Sequence, residues 1–289
     1  MAVRADAALV QRLVAAQFPQ WADLPVTPVA HSGWDNQTFH LGAAMSVRLP
    51  RSKHYAAQVE KEQHWLPKLA PLLPLPIPAP IALGARSEDF RAAWSVYRWL
   101  PGDALAQSAV HNRVQFARDL AAFLRALYVI DATGGPEAGV QSFHCGGDLR
   151  VYDAQSRDAI VACGASIDGA AATRMWDVAC ASQWRKPPIW LHGDIAPGNL
   201  LVENGRLSAV IDFGTCAIGD PSCDLTIAWT WFTGNDRAAF LDALAFDEDT
   251  VARGRGWALW KALITSADGT KPAAQREDAR QVLRALGVA

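Results

Sequence analysis

Helical and strand-like spacings of apolar residues alternate along the first hundred positions of the chain. Apolar residues recur at i, i+3 and i+4 over Asp6–Gln17 and again over Tyr55–Leu69, which predicts two amphipathic helices. Short runs of β-branched and apolar residues, separated by turn residues, lie between and after these helices. They predict strands, the first three forming an antiparallel sheet: Val26–Ala30, Gln37–Leu41, Met45–Leu49, Ile81–Gly84 and Ala93–Trp99.

The pattern of the remaining chain is mainly helical. It predicts a long buried helix, a glycine-rich irregular segment and a further helical stretch, in this order: Val110–Ile130, Thr133–Gly147 and Asp148–Trp184. Two apolar bursts, Ile189–Leu191 and Leu207–Ile211, interrupt the helical pattern. Because short apolar runs that stop on Asp or His are typical of buried strands, we expect two strands here.

Each of these two apolar runs is followed by polar residues of types that catalyse reactions or bind metals. His192, Asp194 and Asn199 follow the first burst, and Asp212 comes directly after the second. The two strands are expected to bring Asp194, Asn199 and Asp212 together. One carboxylate would then orient or deprotonate a hydroxyl, while an amide and a second carboxylate hold magnesium, as phosphoryl transfer requires.

The residues over this stretch read HGDIAPGNLL, then VIDFG, then GDPSCDL. This pattern resembles the aminoglycoside phosphotransferase and choline kinase family, small-molecule kinases that share the protein-kinase fold. The resemblance implies an α+β, two-lobe fold with a small N-terminal antiparallel β-sheet lobe containing one helix, and a larger, mainly helical C-terminal lobe. It implies a nucleotide-binding lobe over residues 1–102 and a catalytic and substrate-binding lobe over residues 103–289.

The resemblance also implies roles for individual residues. Asp194 is the expected catalytic base, Asn199 and Asp212 are the expected Mg²⁺ ligands, and ATP or GTP is the expected phosphate donor. Arg48 stands where kinases have a phosphate-binding lysine, and Lys53 is the alternative for this role. Glu62 is the expected partner of this cation, and Glu60, one helix face away, is the alternative. His192, Asp220 and Asp224 are expected to brace the loops. The other expected nucleotide contacts are Ser32, Tyr97, Trp99 and Leu100.

Five acidic residues and one basic residue lie between positions 236 and 249. Family members with cationic aminoglycoside substrates use carboxylates of the C-terminal lobe, so this stretch is a candidate amine-binding rim. An acidic helix start stabilised by the helix dipole explains the same residues equally well. Both interpretations stay open for the candidate substrate-binding residues Asp236, Asp247 and Glu248.

Composition narrows the possible partners and surroundings. The 289 residues are long enough for two lobes, and 51% hydrophobic with 19% charged residues suits a globular protein with a sizeable core. The net charge of −2 favours neither nucleic acid nor an anionic membrane as a partner. Five cysteines without a C-x-x-C pair fit a reducing cytoplasm better than a disulfide framework or a zinc site. No signal-peptide run or membrane helix is expected.

Three functions compete for this sequence. The first is a kinase that phosphorylates a hydroxyl of an aminoglycoside-like antibiotic, and the second is a kinase of another alcohol such as choline, homoserine or a sugar. The third is a catalytically silent, kinase-shaped nucleotide-binding protein, which the absence of a G-x-G-x-x-G loop and the presence of Arg48 would support. A metal-dependent hydrolase built on His192 and Asp194 lacks further ligands at suitable spacing.

Overall fold

The computed structural model describes residues 5–30, 33 and 35–289, and for residues 53 and 54 it describes the backbone alone. The chain divides into two compact units. The first consists of Met1–Gly102 together with Ala209–Gly214, and the second of Asp103–Ser208 together with Thr215–Ala289. A short segment far along the chain therefore belongs to the N-terminal unit.

The first unit contains a five-stranded antiparallel sheet and two α-helices in its described part. Helix α1 (Ala7–Gln17) begins at Asp6, whose carboxylate accepts a hydrogen bond from the Leu9 amide. Helix α2 (Lys53–Leu69) follows the third strand. The strands, in the spatial order β1-β2-β3-β5-β4, are β1 (Val26–Pro28), β2 (Asn36–Leu41), β3 (Met45–Pro50), β4 (Pro80–Gly84) and β5 (Trp94–Arg98).

The core of this unit forms where the apolar face of α1 meets the sheet. Leu9, Val10, Leu13 and Val14 cluster with buried sheet residues that include Phe39, Val47 and Trp94. The central strand β3 pairs with β2 and β5, and this register sets Arg48 opposite Thr38 on one side and Ser95 on the other. The sheet therefore holds Arg48 on a strand with neighbours on both edges.

The second unit is mainly helical. Its helices are α3 (Arg113–Tyr128), α4 (Asp153–Cys163), α5 (Gly169–Cys180), α6 (Ile227–Thr230), α7 (Gly234–Leu244), α8 (Glu248–Ala267) and α9 (Ala273–Ala285). Helix α5 packs against α8, and α3 packs against α7. The buried side chains of Trp176, Phe123 and Phe240 lie in this helical interior.

Two small sheets accompany these helices. One has the order β6-β8-β9, and the other pairs β7 with β10 in antiparallel fashion. The division between the two units falls inside β9, after Ser208. The strands are β6 (Asp103–Ala104), β7 (Ile189–Leu191), β8 (Leu200–Glu203), β9 (Arg206–Val210) and β10 (Ala217–Gly219).

Three local expectations differ from the structure. The helical stretch expected over Asp148–Trp184 is two α-helices, because Gly164 turns the backbone with φ +51° and Asp168 caps a new helix. The first strand ends at Pro28, which cannot donate to a sheet and is tolerated only at such an edge. Strand β8 was not predicted from the pattern.

No helix in the described part of the chain is both long and apolar enough to cross a membrane. None of the five cysteines, all of them within the described residues, forms a disulfide.

Candidate active site

The loop that carries Asp194 is built on a buried carboxylate of the second unit. Strand β7 ends at Leu191, and the next two amides, of His192 and Gly193, donate to the two oxygens of Asp224 at 2.9 and 2.7 Å. The hydroxyl of Tyr128 donates to the same carboxylate. Burial raises the pKa of Asp224 above its usual value, and His192 and these hydrogen bonds oppose the rise. Asp224 thus braces the loop that carries Asp194, whereas the sequence resemblance assigned it to the loop after Gly214.

His192 also contributes to this loop from a fully buried position. Its Nδ1 accepts a hydrogen bond from the Asp194 amide at 3.2 Å. Its carbonyl oxygen accepts one from the Thr215 hydroxyl at 3.1 Å. These bonds fix the backbone immediately before the Asp194 side chain.

Asp194 and Asn199 meet within the second unit. The side-chain amide nitrogen of Asn199 donates to both the carbonyl oxygen and the Oδ2 atom of Asp194, each at 2.9 Å. Because the Asn199 side-chain nitrogen donates both of these hydrogen bonds to Asp194, the Oδ1 atom of Asn199 remains available to bind a cation. The Asp194 side chain is 38% exposed, so its carboxylate remains accessible. Its Oδ1 atom lies 3.6 Å from the Nζ atom of Lys261 on α8.

The first unit gathers a separate ionic cluster around Arg48. One guanidinium nitrogen lies 3.2 Å from Asp212 Oδ1 and 3.8 Å from Asp35 Oδ2, and the other lies 3.6 Å from Glu62 Oε1. The hydroxyl of Tyr97 donates to the second oxygen of Glu62. The cluster therefore sets three carboxylates against one guanidinium.

Burial and charge oppose each other in this cluster. Burial lowers the pKa of Arg48, but the neighbouring Glu62 and Asp212 outweigh that effect and raise it, so Arg48 stays charged. Burial raises the pKa of both Asp35 and Glu62, and Arg48 counteracts the rise in each. Since carboxylates exceed cations here, further positive charge would stabilise the cluster.

The backbone at Asp212 is held in an unusual conformation. Asp212 has φ +67°, a left-handed conformation that non-glycine residues rarely adopt. Two residues later, the carbonyl oxygen of Gly214 accepts a hydrogen bond from Lys61 Nζ at 2.6 Å. A Cβ at Gly214 would lie 2.8 Å from Gln58 Oε1. Helix α2 thus anchors this turn through Lys61, and Gln58 on the same helix lies too close to Gly214 for a side chain there.

The structure places the remaining predicted nucleotide residues as follows. The Trp99 amide already donates to the Ala44 carbonyl oxygen at 2.8 Å, and its ring lies 4.2 Å from that of His40. Leu100 follows in the irregular segment after β5 and is partly exposed. Glu60 is exposed, whereas Glu62 is buried beside Arg48. Ser32 lies outside the described residues, as does the side chain of Lys53.

The three acidic residues considered for substrate binding lie at the starts of two helices, α7 and α8. Asp236 is buried near the start of α7, where it accepts from the Thr233 amide and pairs with Arg113 at 2.7 Å. Asp247 caps α8 and pairs with Lys186, and Glu248 lies in the first turn of the same helix. These contacts are those of helix starts and ion pairs, and a role in substrate binding stays a prediction.

Three residues of these clusters were not singled out from the sequence. Asp35 ends the turn before β2, and its only signal was an acid at the entry to a strand. Lys61 lies beside Glu62 on a helix that has several charged residues, so nothing distinguished it. Lys261 interrupts the apolar run ALWKALI, an available signal that was not used.

Comparison with known proteins decides the family. A model of the phosphotransferase enzyme family matches residues 26–263, well over half of the chain. The chain belongs to this family. The expectation of a phosphotransferase is thereby confirmed, and no curated protein sequence matches the chain closely enough to refine it.

Solved structures show the fold of this phosphotransferase. The GDP and kanamycin complex of APH(2")-IIia aligns with a TM-score of 0.74 at 19% identity, over 96% of this chain and 97% of that one. Macrolide 2'-phosphotransferase MphH from Brachybacterium faecium aligns with a TM-score of 0.62 at 23% identity, over 96% and 97%. The streptomycin-ATP-APH(2")-IIa ternary complex aligns with a TM-score of 0.60 at 18% identity, over 98% of this chain and 97% of that one. The expected kinase-like α+β fold is confirmed.

The donor atoms of this phosphotransferase fit magnesium. Across residues 5–30, 33 and 35–289, no group of three or more His, Cys, Asp and Glu side chains is arranged to hold a metal ion. Magnesium that accompanies a nucleotide needs no such group, because phosphate and water supply most of its ligands. Asn199 Oδ1 and the Asp212 carboxylate are hard oxygen donors of the kind it prefers.

Proposed function

We propose that this phosphotransferase transfers the γ-phosphoryl group of ATP or GTP, with magnesium, to a hydroxyl of a small molecule. The observation that supports the proposal best is the paired hydrogen bonding of Asn199 to Asp194. It holds one accessible carboxylate in a defined orientation while leaving an amide oxygen for a cation. A kinase requires both groups for the acceptor and the metal.

In this proposal Asp194 is the catalytic residue. Its carboxylate accepts the proton of the acceptor hydroxyl as that oxygen attacks the γ-phosphorus and the bond to the β-phosphate oxygen breaks. The Asn199 amide keeps Asp194 in the orientation needed for this transfer. Magnesium, when bound with the nucleotide, neutralises phosphate charge, and Asn199 and Asp212 are its proposed protein ligands.

The first unit supplies the proposed nucleotide contacts. Arg48 is a phosphate-binding cation, and Glu62 orients it from α2, with Tyr97 in turn holding Glu62 by a hydrogen bond. Because the Trp99 amide is engaged with Ala44, Leu100 is the better candidate for a backbone contact to the base. Ser32 keeps its proposed role in phosphate binding on the sequence argument alone.

Two acceptor classes remain in the proposal. An aminoglycoside-like antibiotic is the first, in keeping with the kanamycin and streptomycin named for two structural neighbours. Another alcohol is the second. One observation favours it: Asp236 and Asp247 are engaged with Arg113 and Lys186, so the acidic rim that would attract a cationic acceptor loses two members.

Turnover of purified protein tests the proposal. Nucleoside diphosphate release should be followed with ATP or GTP and magnesium against a panel of aminoglycosides, macrolides and metabolite alcohols. We expect acceptor-dependent release, and Asp194→Asn should lower kcat by at least about a hundredfold, the usual contribution of a general base. Magnesium-nucleotide binding should persist in this variant, because Asp194 is proposed to contact the acceptor.

Asp158→Asn is the matched control, since Asp158 is an exposed aspartate of α4. It should keep wild-type turnover. Equal turnover in Asp194→Asn and the wild type would remove Asp194 from the mechanism. If the wild type binds nucleotide but turns over no acceptor, the catalytically silent interpretation replaces this one. If it does neither, the proposed function is wrong.

A further inference from the structure

A lysine of α8 lies against the proposed catalytic carboxylate. Lys261 Nζ is 3.6 Å from Asp194 Oδ1, the oxygen that Asn199 does not bind. The lysine side chain is 69% exposed, so its ammonium group reaches solvent beside Asp194. The negative charge of Asp194 raises the pKa of Lys261, so the ammonium form is favoured. A fixed position of the fold thus presents a cation next to Asp194.

Among the described residues, Asp194 is the one carboxylate within ion-pair distance of Lys261. One turn away on α8, the neighbours at i±3 and i±4 are Trp257, Ala258, Ile264 and Thr265. The preceding residue, Trp260, stacks on Tyr152 with ring centroids 3.9 Å apart. The pair therefore lies among uncharged residues and carries no net negative charge.

This arrangement has a consequence for the acceptor. A polycationic acceptor that brings a hydroxyl to Asp194 also brings positive charge toward Lys261, whose Nζ atom lies 3.6 Å from Asp194 Oδ1. Two like charges a few Å apart in water lower an equilibrium constant by about fivefold, and by more where water is displaced. A neutral or anionic alcohol meets no such repulsion.

We propose that Lys261 is a specificity-determining residue, and that the acceptor is an alcohol without net positive charge. The inference rests on the proposed function, because it takes Asp194 as the group that contacts the acceptor. Lys261 lies at the acceptor hydroxyl and disfavours acceptors that carry several amines.

Kanamycin serves as the polycationic probe in the test. Its dissociation constant should be measured by calorimetry without nucleotide for the wild type, Lys261→Met and Lys261→Glu. We expect Lys261→Met to bind kanamycin about fivefold more tightly than the wild type, and Lys261→Glu more than about tenfold. Both gains should shrink in 0.5 M salt, since salt screens exposed charges.

Lys271→Glu is the matched control, because it makes the same change in charge at an exposed lysine before α9. It should leave kanamycin affinity at the wild-type value. Equal kanamycin binding in the wild type and Lys261→Met, or tighter binding by the wild type, overturns the proposal. So does a gain in Lys271→Glu as large as that in Lys261→Glu, because the effect would then belong to overall charge.

Failure of the proposed function gives a separate result. It appears as absence of magnesium-nucleotide binding and of turnover with every acceptor. The comparison of kanamycin affinities requires neither nucleotide nor phosphoryl transfer, so the two outcomes are told apart.

Discussion

At Gly193 the backbone passes from β7 to Asp194 with φ +86°. A side chain is disfavoured in that conformation, and a Cβ would also lie 2.8 Å from the carbonyl oxygen of Thr215. The backbone N–H of Gly193 also donates a hydrogen bond to the Asp224 carboxylate. The glycine between His192 and Asp194 is therefore required by the backbone geometry that orients Asp194.

Gly193→Ala should lower the free energy of unfolding by about 1–3 kcal/mol, the usual cost of a side chain held in an unfavourable backbone conformation. Urea unfolding measures this as a lower midpoint with an unchanged slope. Gly198→Ala is the control in the same loop, because a Cβ there meets no atom within 4 Å. It should change the free energy by less than about 0.5 kcal/mol. Equal losses in both variants would contradict the prediction.

Residue types and their order along the chain were enough to predict much of the candidate site, but they did not predict which side chains would contact one another. The motif was sufficient to propose Asp194, Asn199 and Asp212, because each follows a recognisable apolar burst. It gave no sign that Asp35 would join Arg48, because that pair depends on the register of β2 and β3 and on side-chain direction. It gave no sign that Lys261 would lie beside Asp194, because that pair depends on packing between elements far apart in the sequence. A single sequence does not report such contacts.

At the scale of elements, α2 links the sheet of the first unit to the turn after Asp212. Glu62 contacts Arg48 on β3, while Lys61 on the same helix holds the Gly214 carbonyl oxygen. The helix therefore positions both the proposed phosphate-binding cation and the backbone that follows the proposed metal ligand. A change in α2 should affect both.

Lys61→Met should loosen the turn at Gly214. A hydrogen bond from a charged donor contributes about 1.5–3 kcal/mol, so amide hydrogen exchange in peptides covering residues 211–215 should be about tenfold faster or more. Lys68→Met is the control, because Lys68 lies on the same helix but contacts His64 and Trp65. Unchanged exchange in Lys61→Met, or equal acceleration in both variants, would show that α2 does not anchor the turn through Lys61.

Elements with long periodic patterns could be predicted, and short ones could not. Helices α1, α2 and α3 follow clear apolar spacing, and apolar residues at the predicted positions are buried. The break between α4 and α5 was missed because the apolar spacing resumes after Gly164, so a local backbone turn is hidden in a helical pattern. Strand β8 was missed because it is four residues long and directly follows the loop of Asn199.

At the scale of the whole molecule, the motif predicted the fold but gave no sign that a short later segment joins the first unit. Ala209–Gly214 belongs to the first unit although more than a hundred residues separate it from Gly102. The amide of Val210 donates to the Pro76 carbonyl oxygen, a contact that ties this segment to the first unit. Asp212 is therefore positioned by the N-terminal unit, whereas Asp194 and Asn199 belong to the other.

Binding of magnesium-nucleotide should stabilise the protein, because the nucleotide binds the native state and not the unfolded chain. A ligand at a hundred times its dissociation constant adds about 2.7 kcal/mol to the native state, which raises the apparent Tm by about 4–5 °C in a protein of 289 residues. Thermal denaturation with ATP or GTP, each with and without magnesium, measures this shift and shows which nucleotide the protein prefers.

Variants at the two proposed ligands separate the metal from the nucleotide. In Asp212→Asn and Asn199→Ala the part of the shift that requires magnesium should fall by more than half, because each loses a hard oxygen donor or its orientation. Asp158→Asn, at an exposed site on α4, should keep the full shift. If the wild type shows no magnesium-dependent shift with either nucleotide, or if both ligand variants keep it, then Asn199 and Asp212 do not hold the metal and the proposed mechanism loses its charge neutralisation.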